Sequence, residues 1–196
     1  MSTDLTVIIP TIPERTDLFD QAVASVKAQT LDVKLLTRED TDHVGVVPTV
    51  NRLAETVLTP WLMRLDDDDL LDADHCEVLS HWLDDDADIV FTWCRIEGGG
   101  DLHPHDQFQV RLQDEYGWGY LRYQNWIPCV AAIRTDLWIK LGGLRDVQEE
   151  DWDFWQRAHD AGARFRCVPA VTWTYRMNED WAHRSDFRNE LFRTAT

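Results

Sequence analysis

The chain has 196 residues, 44% of them apolar and ten of them tryptophan, enough for one good hydrophobic core and short for two. Its 36 acidic residues against 19 Lys and Arg give a formal charge of −17. That charge disfavours a nucleic-acid partner, which needs a basic field, while the apolar content excludes a disordered acidic tail.

The first apolar run, "LTVIIP" at 5–10, is β-branched and stopped by Pro10, the pattern of a buried strand. After the turn "TIPERT", Asp17 is placed to cap a helix whose Leu18, Phe19, Ala22, Val23 and Val26 share one face. "DVKLLT" at 32–37 reads as a second strand and "REDTDHVGV" as a polar loop. Pro48 opens a helix with Val50, Leu53, Ala54 and Val57 along its inner side, and "WLMRL" at 61–65 is a third strand. Strand, helix, strand, helix, strand predicts a parallel α/β sheet. Beyond it, Asp72 is expected to cap a helix burying Cys76, Leu79, Trp82 and Leu83, followed by a strand at 88–93. The segment from Arg95 to Gln113 lacks periodicity and reads as a flexible loop. A strand at 127–133, a helix "TDLWIKLGG" stopped by Gly142 and Gly143, a helix at 149–162 ended by Gly162, and late strands "RFRCV" and "VTWTYR" complete the pattern. No internal repeat or linker interrupts it, so one domain over 1–196 is expected, with 177–196 a C-terminal tail or helix.

Cys76, Cys94, Cys129 and Cys167 are widely spaced and form no CxxC pair, which suits reduced, mostly buried thiols in a cytoplasmic protein. The amino-terminal apolar run is too short for a signal peptide, and no stretch reaches the length of a membrane span. A soluble, cytoplasmic protein is expected, with a homo-oligomer left open.

The distinctive stretch is "LMRLDDDDLLDADHCEVL" at 62–79. Two carboxylates about 4 Å apart repel by roughly 4 kcal/mol at an effective dielectric near 20, so the cluster must be solvated, partly protonated or neutralised by a cation. In parallel α/β sheets ligands gather at the carboxyl ends of strands, where this run begins. Carboxylates suit hard divalent ions, and Mg²⁺ is commonly held by one or two of them together with substrate phosphates. A solvated, helix-capping loop is the plain alternative. A calcium EF-hand fails, because Leu70 stands at its fifth position and Leu71 where the turn needs glycine. A phosphatase nucleophile normally needs a supporting lysine, and only Lys27, Lys34 and Lys140 exist.

The motif order resembles that of the family 2 glycosyltransferases. "VIIPTIPERTDLFDQAVASVKAQT" is similar to that family's first strand, turn and helix; "VNRLAETVLTPWLMRLDDDDLL" to its Asn-Arg helix, strand and Asp-x-Asp signature; and "GGLRDVQEEDWDFWQRAHDAGARF" to its Gly-Gly segment and Glu-Asp helix. Together they cover residue 6 to about 176 in the family's order. The resemblance implies a single GT-A (Rossmann-like) domain with a mostly parallel central sheet flanked by helices. It also implies transfer of one sugar, with inversion, from a nucleoside-diphosphate sugar to an acceptor hydroxyl, assisted by Mn²⁺ or Mg²⁺. Carried over, Asp66 and Asp68 are the Asp-x-Asp pair, with Asp68 the direct metal ligand, Asp67 beside them, Asp69 nearby and His183 a further ligand. Pro10, Thr11, Arg15, Glu39, Asp40, Asn51 and Arg52 fall where the family meets the nucleotide sugar. Glu150 and Asp151 match the catalytic pair, with Asp151 the general base, and burial beside Trp152 and Trp155 is expected to raise its pKa. Trp118 and Trp126 are placed to stack on an acceptor, whose identity is open.

The chain departs from the family in being short and in lacking the Gln-x-x-Arg-Trp signature and membrane helices of processive synthases. A soluble or peripherally held acceptor is therefore expected. Two competing readings are a non-catalytic nucleotide-sugar-binding protein and a nucleotidyltransferase, though the latter's glycine-rich phosphate loop is missing from "PTIPERT".

Overall fold

A computed structural model describes residues 4–84, 86–97, 121–123 and 125–176. In chain order its principal elements are β1 (Leu5–Thr11), α1 (Thr16–Lys27), β2 (Lys34–Glu39), α2 (Val46–Ala54), β3 (Trp61–Arg64), β4 (Leu70–Leu71), α3 (His75–Ser80), β5 (Ile89–Glu97), β6 (Ala131–Arg134), α4 (Thr135–Leu141), α5 (Glu150–Asp160) and β7 (Phe165–Arg176). The strands form a seven-stranded sheet in the order β2-β1-β3-β6-β5-β7-β4. β1, β2, β3, β5 and β7 run one way; β6, between β3 and β5, and β4, at the edge beside β7, run against them. The expected mostly parallel α/β sheet flanked by helices is what the chain builds.

Period-two alternation explains why helices cover both faces. Ile8, Leu62, Phe91 and Ile133 point to a core shared with Val50 and Leu53 of α2, Leu137 and Trp138 of α4, and Phe154 and Trp155 of α5. Their neighbours Val7, Ile9, Met63, Val90 and Ala132 point the other way, onto Ala22 and Val26 of α1 and Cys76 and Leu79 of α3. Burial at roughly 25 cal/mol per Å² makes both faces stabilising.

Several local expectations are corrected. Asp72 caps no helix: α3 starts at His75, and the Asp72 carboxylate instead takes Nη1 and Nη2 of Arg95 at 2.7 and 2.8 Å. β5 runs through Arg95 to Glu97, so that part of the expected loop is strand, and residues 98–113 lie outside the described residues. The two late strands are one, β7, whose pairing with β5 jumps from Val168 to Val171. Pro169 has no N–H for the ladder, and the extra residues are accommodated as a bulge. Trp126 is 4% exposed and meets Phe91 edge-on with ring centres 6.0 Å apart, so it is core and offers no acceptor platform. Trp118, His183 and the tail 177–196 lie outside the described residues. All four cysteines are free thiols, and no helix among the described residues is long and apolar enough to cross a membrane.

Candidate active site

β1, β3 and β7 end on the same edge of the sheet, at Thr11, Arg64 and Arg176. A cleft of about 470 Å³ opens there, lined by Pro10, Thr11, Arg15, Asp40, Arg64 and Asp66–Asp68 among others. Ligand sites are expected at this edge of an α/β sheet. The acidic run is suspended across it. Leu65 continues β3 into the core, Asp66–Asp69 make the crossing, and Leu70–Leu71 form β4, pairing with Thr174 and Trp173 of β7.

The four aspartates meet four different environments. Asp66 accepts from Arg64 Nε at 2.6 Å and from the Cys129 thiol at 3.6 Å. Asp67, 5% exposed, accepts from Thr11 Oγ1 and Arg15 Nη1, each at 2.8 Å. Asp68 faces the cleft and takes the same Arg15 nitrogen at 3.1 Å; burial, then the charge of Asp66, pushes its pKa up. Asp69 is fully buried and accepts the backbone N–H of Arg176 at 2.9 Å through Oδ1, while Oδ2 has no partner among the described residues. Burial and Asp66 hold the Asp69 carboxyl well above the usual range. The Arg176 guanidinium reaches the Asp68 carbonyl and Gln21, tying the crossing to β7 and α1.

On β2 and α2 the placements divide. Asp40 is buried at the cleft and accepts the N–H groups of Val44 and Gly45 at 2.9 and 2.8 Å. Burial alone would raise its pKa, yet those two donors keep it below the usual range. Gly45, at φ 103, supplies the left-handed turn that aims both donors. Glu39 is exposed at the end of β2, and Arg52 is exposed on α2; neither lines the cleft. Asn51 does not line the cleft, and its amide exchanges two 2.9 Å hydrogen bonds with the backbone of Leu144. It packs so closely that a Cβ on Gly143 would stand 2.4 Å from Asn51 Oδ1.

Glu150 and Asp151 begin α5. Glu149, just before them, has a left-handed backbone at φ 57 and ψ 62, a conformation costing a non-glycine residue about 1–2 kcal/mol. Glu150 accepts Arg64 Nη1 at 2.8 Å. Asp151 accepts the side-chain amide of Asn125 at 3.2 and 3.3 Å and its neighbour's N–H, from Trp152, at 2.7 Å. Burial, reinforced by the Glu150 charge and opposed by Arg64, raises the Asp151 pKa to about 6. Trp152 and Trp155 are anchored beside it by indole hydrogen bonds to Leu121 and Ile127 carbonyls. Neither Glu150 nor Asp151 lines the cleft directly; they adjoin it behind Arg64.

Arg64, Arg176 and Cys129 also belong to the site, beyond the residues that the sequence motifs single out. Arg64 had left a signal, being a charged residue inside a strand that otherwise reads as buried, two positions before an aspartate and so on its side of the strand.

Whether the carboxylates suit a cation is answered by their donors. Asp66, Asp69 and Cys129 each offer a ligand atom, all within 4.8 Å of one another. Asp69 Oδ2, buried with no partner among the described residues, is an acceptor available to a ligand, and oxygen donors beside the cleft-facing Asp68 fit a hard divalent ion.

No model of a known protein family matches the chain, and no curated protein matches it in sequence. Solved structures do. S. aureus TarS residues 1–349 in complex with UDP-GlcNAc is 14% identical, with a TM-score of 0.72 over 91% of this chain and 59% of that one. The mannosyltransferase PcManGT from Pyrobaculum calidifontis, in complex with GDP-Man and Mn²⁺, is 16% identical, with a TM-score of 0.67 over 96% of this chain and 61% of that one. The chain thus spans about three fifths of the length of these glycosyltransferase structures and shares their GT-A type of fold.

Proposed function

We propose that the protein is a metal-dependent, inverting glycosyltransferase that moves one sugar from a nucleoside-diphosphate sugar to an acceptor hydroxyl. The observation that carries this reading is the meeting of the two acidic motifs. Asp66 and Glu150, 84 positions apart in sequence (150 − 66), share one guanidinium, that of Arg64, at the wall of the cleft. The two solved relatives that carry nucleotide sugars have the same fold and so favour the same chemistry.

In this reading Thr11, Arg15 and the Asp40 turn frame the nucleotide, and Asp66, Asp68 and Asp69 are the residues that would hold Mn²⁺ or Mg²⁺. When bound, that ion offsets the negative charge that develops on the departing diphosphate. Arg15, between Asp67 and Asp68, adds a fixed positive charge on the same side. Asp151 removes the proton of the acceptor hydroxyl as its oxygen attacks the anomeric carbon from the face opposite the leaving group, which inverts the configuration. A base with a pKa near 6 is ionised at neutral pH and still basic enough to take a proton in flight. Asn125 holds both carboxylate oxygens from one side.

The test is release of nucleoside diphosphate from a panel of UDP- and GDP-sugars with Mn²⁺ or Mg²⁺. Turnover of at least one donor is expected, falling about 10³-fold in Asp151→Asn, with nucleotide binding retained. Absence of both turnover and thermal stabilisation across the panel would overturn the proposal.

A further inference from the structure

We infer that Arg64 is a positioning residue for this reaction, a strut fixing the acidic crossing to the first turn of α5, with Glu150 as its anchor; the inference rests on the functional reading above. Arg64 ends a strand whose other three residues are buried, and its own side chain is 11% exposed. A guanidinium is costly to bury unless it is paired and its geometry is good. Both pairings are short, Nε to Asp66 at 2.6 Å and Nη1 to Glu150 at 2.8 Å. The planar fork sets the angle between the two carboxylates as well as the distance.

The two anchors belong to units that would otherwise repel. Asp66 opens the crossing that faces the donor cleft, and Glu150 precedes the candidate base by one residue. With Oε1 committed to Arg64, Glu150 serves as the anchor, and Asp151, held by a neutral amide, is the carboxylate left to meet the acceptor. The left-handed Glu149 sets the direction in which α5 starts, and the strut locks that direction against β3. Because a misplacement of about 1 Å in a reacting group can cost about 10²-fold in rate, a strut of this kind acts on turnover more than on donor affinity. Lysine, a point charge with one nitrogen, cannot fork to both carboxylates.

The experiment uses the whole chain with a donor that the wild type turns over, measuring kcat, KM, melting temperature and nucleoside-diphosphate affinity. Arg64→Met is expected to lower kcat about 10²-fold and Arg64→Lys about 10-fold, with nucleotide affinity within about threefold of wild type. Glu150→Ala, which removes the acceptor, should lower kcat in the same direction, and the double variant should be no worse than Arg64→Met, which already breaks the Arg64–Glu150 link. A folded Arg64→Met with kcat within twofold of wild type, additive losses in the double variant, or affinity falling in step with kcat would each overturn the inference. If Arg64→Met does not fold, Glu150→Ala, which removes the acceptor of Arg64 Nη1 and keeps the Arg64–Asp66 pair, decides alone, and an unchanged kcat overturns it. A wild type that turns over no donor overturns the functional reading and the strut with it; active wild type with unaffected variants overturns the strut alone.

Discussion

The crossing at Asp66–Asp69 and the start of α5 at Glu149–Asp151 look alike in sequence, two short runs of acid after an apolar or turn segment, and differ in what meets their charge. The crossing is drawn toward arginine side chains: Arg64 holds Asp66, Arg15 holds Asp67 and Asp68, and the Arg176 guanidinium holds the Asp68 carbonyl, while the buried Asp69 side chain takes the Arg176 backbone N–H. At α5 the same Arg64 satisfies Glu150, while Asp151 is left with a neutral amide and one N–H. Guanidinium contacts offset part of the crowding in the crossing, although burial and Asp66 still push the Asp68 and Asp69 carboxyls up. Cation-poor burial suits one that must change its protonation.

The sharpest way to break that contrast is to neutralise one member of each run. Asp68→Asn is expected to lower metal-stimulated turnover about 10²-fold or more and to blunt the rise in melting temperature on adding Mn²⁺. Its fold should be undisturbed, because burial and Asp66 already disfavour the Asp68 charge. An undiminished Mn²⁺ response would remove Asp68 from the site.

The Asp151 side of the contrast is read by pH. The base works ionised, so turnover should climb with pH, about tenfold per unit on the acid limb, and level off above about 6. Stability should move the opposite way. The folded pKa lies above the unfolded value, so the fold resists ionising this group and loses stability as pH rises from about 4 through about 6, by on the order of 2 kcal/mol. Asp151→Asn removes that loss. In urea titrations it should exceed the wild type in stability at pH 8 and converge with it toward pH 4. Equal stabilities at pH 8 would show that Asp151 is not held in a charge-averse site.

The smallest expected effect falls on Asn51, whose amide is committed to Leu144 and which the sequence resemblance would put near a nucleotide. Asn51→Ala should destabilise the fold by about 1–3 kcal/mol and leave the donor KM unchanged. A raised KM with unchanged stability would return Asn51 to the nucleotide site.

What was legible in the sequence follows from what determines it locally. β1 and β3 were readable because their residues are buried on both faces and so form continuous apolar runs. α2 was readable from the spacing of Val50, Leu53 and Ala54. β4 was not, because Leu70 and Leu71 are strand only through their pairing with Thr174 and Trp173, about a hundred positions away. The same holds at the site. Asp66, Asp67, Asp68, Asp40, Thr11 and Arg15 converge on one cleft, as motif order implied. The partners of Asn51 and Glu150 are non-local, as is the burial of Asp69, and no window of sequence contains Leu144 or Arg64 next to them.

The attachment of the crossing at both ends has one more consequence. β3 feeds it from one side and β4 staples it to β7 on the other, so the four carboxylates cannot scatter when no ligand is there. Folding, and not a later ligand, therefore meets the cost of crowding like charges, and the edge keeps its shape in advance of any occupant.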